Sequence, residues 1–153
     1  MATAETLALA LLYQRDETAW LETMAELVRA GRLDQIDSVN LAEFLASMAN
    51  RDRREVTSRL TALLLHLLKW RHQPGHRSRS WQLTVEIQRR ELADLLESGT
   101  LRRHAAEDLG RAYGRAILKA SAETGLPESA FPAGCPFTLD DTLTSPLEGD
   151  LEP

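Results

Sequence analysis

Residues 58–73 read SRLTALLLHLLKWRHQ, and this stretch decides the fold. Wound as an α-helix, it carries Leu60, Leu63, Leu64, Leu65, Leu67, Leu68 and Trp70 around most of its circumference. A helix that is apolar on most sides must be buried on most sides. One narrow stripe stays polar: Glu55, Arg59, Ala62, His66, Lys69 and Gln73 follow each other at helical spacing. The sequence therefore predicts a central helix with one polar seam, which only a bundle of further helices can surround.

Outward from this stretch the same periodicity recurs. Upstream, Leu41, Leu45, Met48 and Val56 keep near-helical phase, so one helix over about Leu41–Gln73 is predicted, capped by Asn40 and ended by Pro74-Gly75. The charged run Asn50-Arg-Asp-Arg-Arg-Glu55 leaves either a continuous rod or a break near Asn50. A helix over Glu17–Ala30 is predicted from Asp16 as cap, Gly31 as stop, and Trp20, Met24, Leu27 and Val28 as one face. Downstream, Trp81, Val85, Leu92, Leu95 and Leu96 predict a helix over Ser80–Glu97. Leu101, Ala105, Leu109, Ala112, Tyr113, Ala116, Ile117 and Ala120 predict another over Leu101–Glu123, capped by Thr100 and ended by Gly125 and Pro127. Residues 1–15 read as an N-terminal arm. Residues 126–153 hold five of the six prolines and read as an irregular, acidic strap and tail, with Thr138 and Asp141 able to start one short turn. The fold class expected is all-α, a bundle of about four main helices in a single domain spanning residues 1–153.

Composition narrows the setting. The 153 residues contain one cysteine, Cys135, which excludes an internal disulfide and points to a reducing compartment. The N-terminus lacks the basic start of a secretory signal, and no run approaches the ~20 apolar residues of a membrane span, so a cytoplasmic protein without a membrane partner is expected. The net charge of −5 is uneven: residues 121–153 carry seven acids and no Lys or Arg. The acidity belongs to the tail.

Several runs resemble one family. His66-Leu-Leu-Lys-Trp70, Gln73-Pro74, Arg77-Ser78-x-Ser80-Trp81, Tyr13-x-x-Asp-x-x-x-Trp20, Arg29-Ala-Gly-Arg32, Asn40-Leu41, Glu123-Thr-Gly-Leu-Pro127, Phe131-Pro132 and Cys135-Pro136 look like the signature of the bacterial family called domain of unknown function 29. The resemblance covers nearly the whole chain and implies an all-α fold, but no activity and no site. After the Asn-Leu pair the family usually shows a cluster of acids. This chain keeps Glu43 and has Phe44 and Ala46 where others carry carboxylates.

The segment 66–90 is the most loaded in chemistry. Lys69, Arg71, Arg77, Arg79, Arg89 and Arg90 face one acid, Glu86, with Trp70 and Trp81 interleaved. Guanidinium forks suit phosphate, and tryptophan can stack on a base. Arg59, His66, Lys69, Arg71, Arg77, Arg79, Trp81, Arg89 and Arg90 form the candidate binding surface. The other reading of these residues is structural, with the tryptophans in the core and the arginines paired to acids of other helices or the tail. His72 and His76 are four apart, but Pro74-Gly75 separates them, so they lack the shared helix face a metal pair would use. Cys135 has no local base to activate it. No metal, no catalytic residue and no cofactor is expected.

Three functions remain. The leading one is a non-enzymatic module that binds another macromolecule, a protein or a second copy of itself. The alternative is a nucleic-acid or phosphate-binding module using residues 69–90. The third is a hydrolase-like enzyme built on the seam of Glu55, Arg59, His66 and Lys69. Arginines consumed by internal pairs favour the first, arginines fanned outward the second, and seam residues buried together the third.

Overall fold

A computed structural model describes residues 3–151. The described chain is all α: α1 (Ala4–Arg15), α2 (Glu17–Arg29), α3 (Ser38–His72), α4 (Arg79–Leu95), α5 (Gly99–Thr124) and α6 (Leu139–Thr144), with short 3-10 turns at Leu33–Gln35, Pro74–His76 and Glu128–Ala130. No helix among the described residues is long and apolar enough to cross a membrane. The chain divides into two compact units, residues 1–50 and 51–153. The helical assignment of α3 runs without interruption from Ser38 to His72, through Asn50.

In the first unit, residues 4–15 are a helix rather than an arm. Thr3 caps it by accepting from the Thr6 amide, and Asp16 starts α2 by accepting from the Ala19 amide at 3.1 Å. The centre of this unit is Trp20, fully buried, with Tyr13 at 4.7 Å and Phe44 at 6.1 Å between ring centroids. Its indole Nε1 donates to the Asp37 carboxylate at 3.2 Å, which also accepts from the Asn40 side chain at 2.7 Å and the Asn40 amide at 3.3 Å. Asp37 therefore opens α3, and the expected cap Asn40 lies inside the first turn. A buried carboxylate is tolerable only when so bonded.

In the second unit the expectation for the central helix holds. Leu60, Leu63, Leu64 and Leu68 of α3 are fully buried, and Leu65, Leu67 and Trp70 nearly so. The leucines pack with Val85, Leu92 and Leu96 of the α4 segment, with Ala105, Ala112, Tyr113, Ala116 and Ala120 of α5, and with Phe131. The alanines of α5 allow close approach to α3. Ser78 caps α4 and Ser98, not Thr100, caps α5. Helix α5 ends at Gly125, whose φ of 74° is the left-handed conformation that a side chain disfavours.

The C-terminal segment packs on this core. Phe131 is buried, Leu126, Cys135, Phe137, Leu139, Leu143 and Leu147 lie against it, and Tyr113 donates its hydroxyl to the Pro132 carbonyl. Thr138 and Asp141 form a reciprocal capping box that starts α6.

Candidate functional site

The candidate surface separates into three places in the second unit. The first is the seam on α3. Arg59 donates from Nε to Glu55 at 3.0 Å and from Nη1 to Gln88 at 3.2 Å, and its Nη2 lies 3.6 Å from Glu91. Lys69 bonds Glu123 at 2.9 Å with its ammonium 4.5 Å from the centre of the Trp81 ring. His66 places Nδ1 2.9 Å from the Ala62 carbonyl, one turn back in its own helix rather than on a neighbouring one. Arg59 and Lys69 tie α3 to α4 and α5, whereas His66 bonds only within α3. They do not converge on a common point.

The second place is a cleft of about 290 Å³ where the end of α3, α4 and the C-terminal segment meet. Arg71, Arg77 and Arg89 line it together with Trp70, Phe137, Asp141 and Ser145. Trp70 donates from Nε1 to the Glu148 carbonyl at 2.7 Å. Arg77 donates from Nε to the Trp70 carbonyl at 2.9 Å and lays its guanidinium over the indole at 5.1 Å. Arg89 donates to the carbonyls of Thr142 at 3.0 Å and Asp141 at 3.4 Å, in the last turn of α6, where a cation complements the helix dipole. Burial lowers the Arg89 pKa. Arg71 covers the ring of Phe137 at 4.6 Å.

The third place is the outer face of α4. Arg79 and Arg90 are exposed there, and so are Leu83 and Ile87 at 54% and 44%. Arg79, Gln82, Leu83, Glu86 and Leu151 frame a shallow hollow on this side. In the segment read as strap and tail, Gly149 lies against the Arg77 guanidinium and Leu151 reaches α4, while Glu152 and Pro153 lie outside the described residues.

Sequence reasoning missed one polar node. The Thr57 hydroxyl, on α3, donates to Asp108 at 2.5 Å and lies 3.1 Å from Nε2 of His104, both on α5. Asp108 also lies 3.5 Å from Arg111. His104 and Asp108 are four apart on one helix, and that spacing is the only sequence signal of the node. Cys135 donates to the Phe137 carbonyl at 3.3 Å, and burial pushes its thiol pKa up, which disfavours a nucleophilic thiolate. His72 closes its ring edge-on against Phe131 at 5.1 Å. Its pKa is lowered by burial and then by Arg71, and its buried Nε2 has no hydrogen-bond partner among the described residues.

The residues that carried the family resemblance are thus accounted for structurally: Tyr13, Trp20 and Asn40 build the centre of the first unit, and Trp70, Arg77 and Ser78 the turn from α3 to α4. No curated protein and no solved structure matches the chain. A family model described as a domain of unknown function, DUF29, matches residues 12–146, and the chain belongs to that family.

Proposed function

We propose that this chain is a non-enzymatic, cytoplasmic protein-interaction module that receives an acidic, apolar helix of a partner protein on the outer face of α4. The observation that carries the reading is the stripe Arg79, Leu83, Ile87 and Arg90. Its members are spaced four, four and three apart, so they share one side of the helix. Two large apolar side chains exposed in the middle of a helix and bounded by free guanidinium groups match the plan of a docking face, an apolar centre with a charged rim. Arg79 and Arg90 outnumber the one acid on this face, Glu86, so the rim favours acids on the partner, and the helical spacing suits a second helix laid alongside. The single free Cys135 fits a reducing compartment.

The remaining cations of the segment support this reading over nucleic-acid binding. Lys69 is bonded to Glu123, and Arg71, Arg77 and Arg89 line the cleft beside Trp70, leaving Arg79 and Arg90 on the outer face of α4. Those two are too few for the steep salt dependence of a phosphate-backbone binder docked on that face. The test is a photo-crosslinker at position 87, expressed in the native host, with a second placed at Glu107 as an exposed control. An adduct specific to position 87, mapped to an acidic amphipathic helix of another protein, is the expected result. An adduct to nucleic acid, to a second copy of this chain, or none beyond the control overturns it.

A further inference from the structure

The cleft beside Trp70 gathers three guanidinium groups and neutralises none of them. Among the described residues, Arg71, Arg77 and Arg89 form no ion pair with a carboxylate. What holds them instead is neutral: the Trp70 carbonyl and indole for Arg77, the Thr142 and Asp141 carbonyls for Arg89, the Phe137 ring for Arg71. Such contacts orient a planar fork without cancelling its charge.

Two acids also line the cleft, Asp141 and Glu148. The Asp141 carboxylate accepts from the Thr138 amide at 3.3 Å and the Ser145 hydroxyl at 3.2 Å. Glu148 is exposed, and it is its backbone carbonyl that the cleft uses. Several N–H donors stay unused: all of Arg71, the terminal nitrogens of Arg77, and Nη1 of Arg89. Three guanidinium groups outnumber these two acids, a net positive charge in a partly enclosed, partly apolar space draws a counter-ion, and guanidinium forks are shaped for the oxygens of phosphate.

We propose that this cleft is a binding site for a small phosphomonoester, held as a dianion by Arg71, Arg77 and Arg89, with its short carbon skeleton against Pro146 and Leu147. Size and aromatic coverage set the class. The volume of about 290 Å³ lies at the lower end for organic ligands. The faces of Trp70 and Phe137 are already covered by Arg77 and Arg71, so a nucleobase finds no free ring to stack on. The C-terminal segment forms one wall, which bars a nucleic-acid duplex. This site is separate from the outer face of α4, so either proposal can fail without the other.

The experiment uses the full chain and calorimetric titration with glycerol 3-phosphate and with inorganic phosphate. Glycerol and sodium chloride at matched ionic strength are the controls. Saturable binding of glycerol 3-phosphate is expected, with a thermal midpoint raised by several degrees once the ligand reaches about a hundred times its Kd. Arg71→Gln removes an exposed guanidinium whose contact is with the Phe137 ring, so it should weaken binding about tenfold or more and lower the ligand-free midpoint by no more than a few degrees. Arg71→Lys, which keeps the charge and loses the fork, should fall between. Equal binding of inorganic phosphate supports the site, with the phosphoryl group as its whole determinant. No saturable binding at tens of millimolar, reproduction of the effect by chloride, or undiminished binding by Arg71→Gln overturns it.

Discussion

The indole Nε1 of Trp70 and the backbone carbonyl of Glu148 lie 2.7 Å apart, and the chain between them spans 78 residues. This bond brings the C-terminal segment across the end of α3 and places Gly149 beside Arg77. A Cβ on residue 149 would displace the Arg77 guanidinium, and the φ of 85° already disfavours any side chain. Gly149→Ala should therefore lower the thermal midpoint by several degrees, from strain of about 1–3 kcal/mol. Trp70→Phe removes the donor and should cost about 1 kcal/mol or more. A midpoint unchanged in both variants, by scanning calorimetry, would show the segment undocked.

Leu64 and Leu68 sit fully buried at the centre of the second unit. Either leucine replaced by alanine should lose about 2–5 kcal/mol in denaturant unfolding, the transfer energy plus the cavity left behind. Leu83→Ala, on the exposed face of α4, should change stability by less than about 0.5 kcal/mol. Similar losses at all three positions would contradict the burial pattern.

Thr57 joins α3 to α5 through one hydroxyl. Thr57→Val keeps the shape and removes the oxygen, leaving the Asp108 carboxylate and His104 without it. A loss of about 1–3 kcal/mol is expected, because the remaining half-buried groups lose a partner. The double mutant Thr57→Val with Asp108→Asn should lose less than the sum of the two single losses. Additivity within error would mean that the node carries no coupling.

His72 sets a direction for the pH dependence. Its folded pKa lies below the ordinary 6.5, first because burial disfavours the charged ring and then because Arg71 repels it. At pH well above 6.5 both the folded and the unfolded chain hold it neutral, and it contributes nothing. As pH falls below about 6.5, the unfolded chain takes up the proton that the folded chain resists, so stability declines. His72→Gln should flatten the thermal midpoint between pH 7 and pH 5 relative to the parent chain. Parallel profiles for the two proteins would place the acid sensitivity elsewhere.

Much of this architecture was legible before any coordinates. The leucines of residues 60–68 require burial on most sides, and they receive it. Asp16, Gly125 and the Thr138–Asp141 pair are local signals, and each acts where its chemistry puts it. Helix α1 was not legible, because Leu7, Leu9, Leu11 and Leu12 give no one-sided stripe, and Leu7 and Leu11 remain exposed. Leu45 and Met48 kept helical phase with the core residues, yet stay exposed at 60% and 39%, since phase alone does not say where neighbours end. Of the candidate surface, the sequence identified the cations but not their partners. Arg77 and Arg89 bond to backbone carbonyls, and a carbonyl is present at every residue, so nothing in the sequence marks which one will be chosen.

The dependence of α6 on Arg89 bears on the order of assembly. Six residues are too few for a helix to persist alone, and this one is held at its start by its own capping box and at its end by an arginine 53 positions earlier. During synthesis α3, α4 and α5 leave the ribosome first and can collapse around their leucines through contacts close in sequence. The segment beyond Phe131 arrives later onto a surface already arranged, and closing it requires loops of roughly 50 to 80 residues. It should therefore be the first part to open in native-state hydrogen exchange, with the α6 amides exchanging together while those of residues 60–68 stay protected.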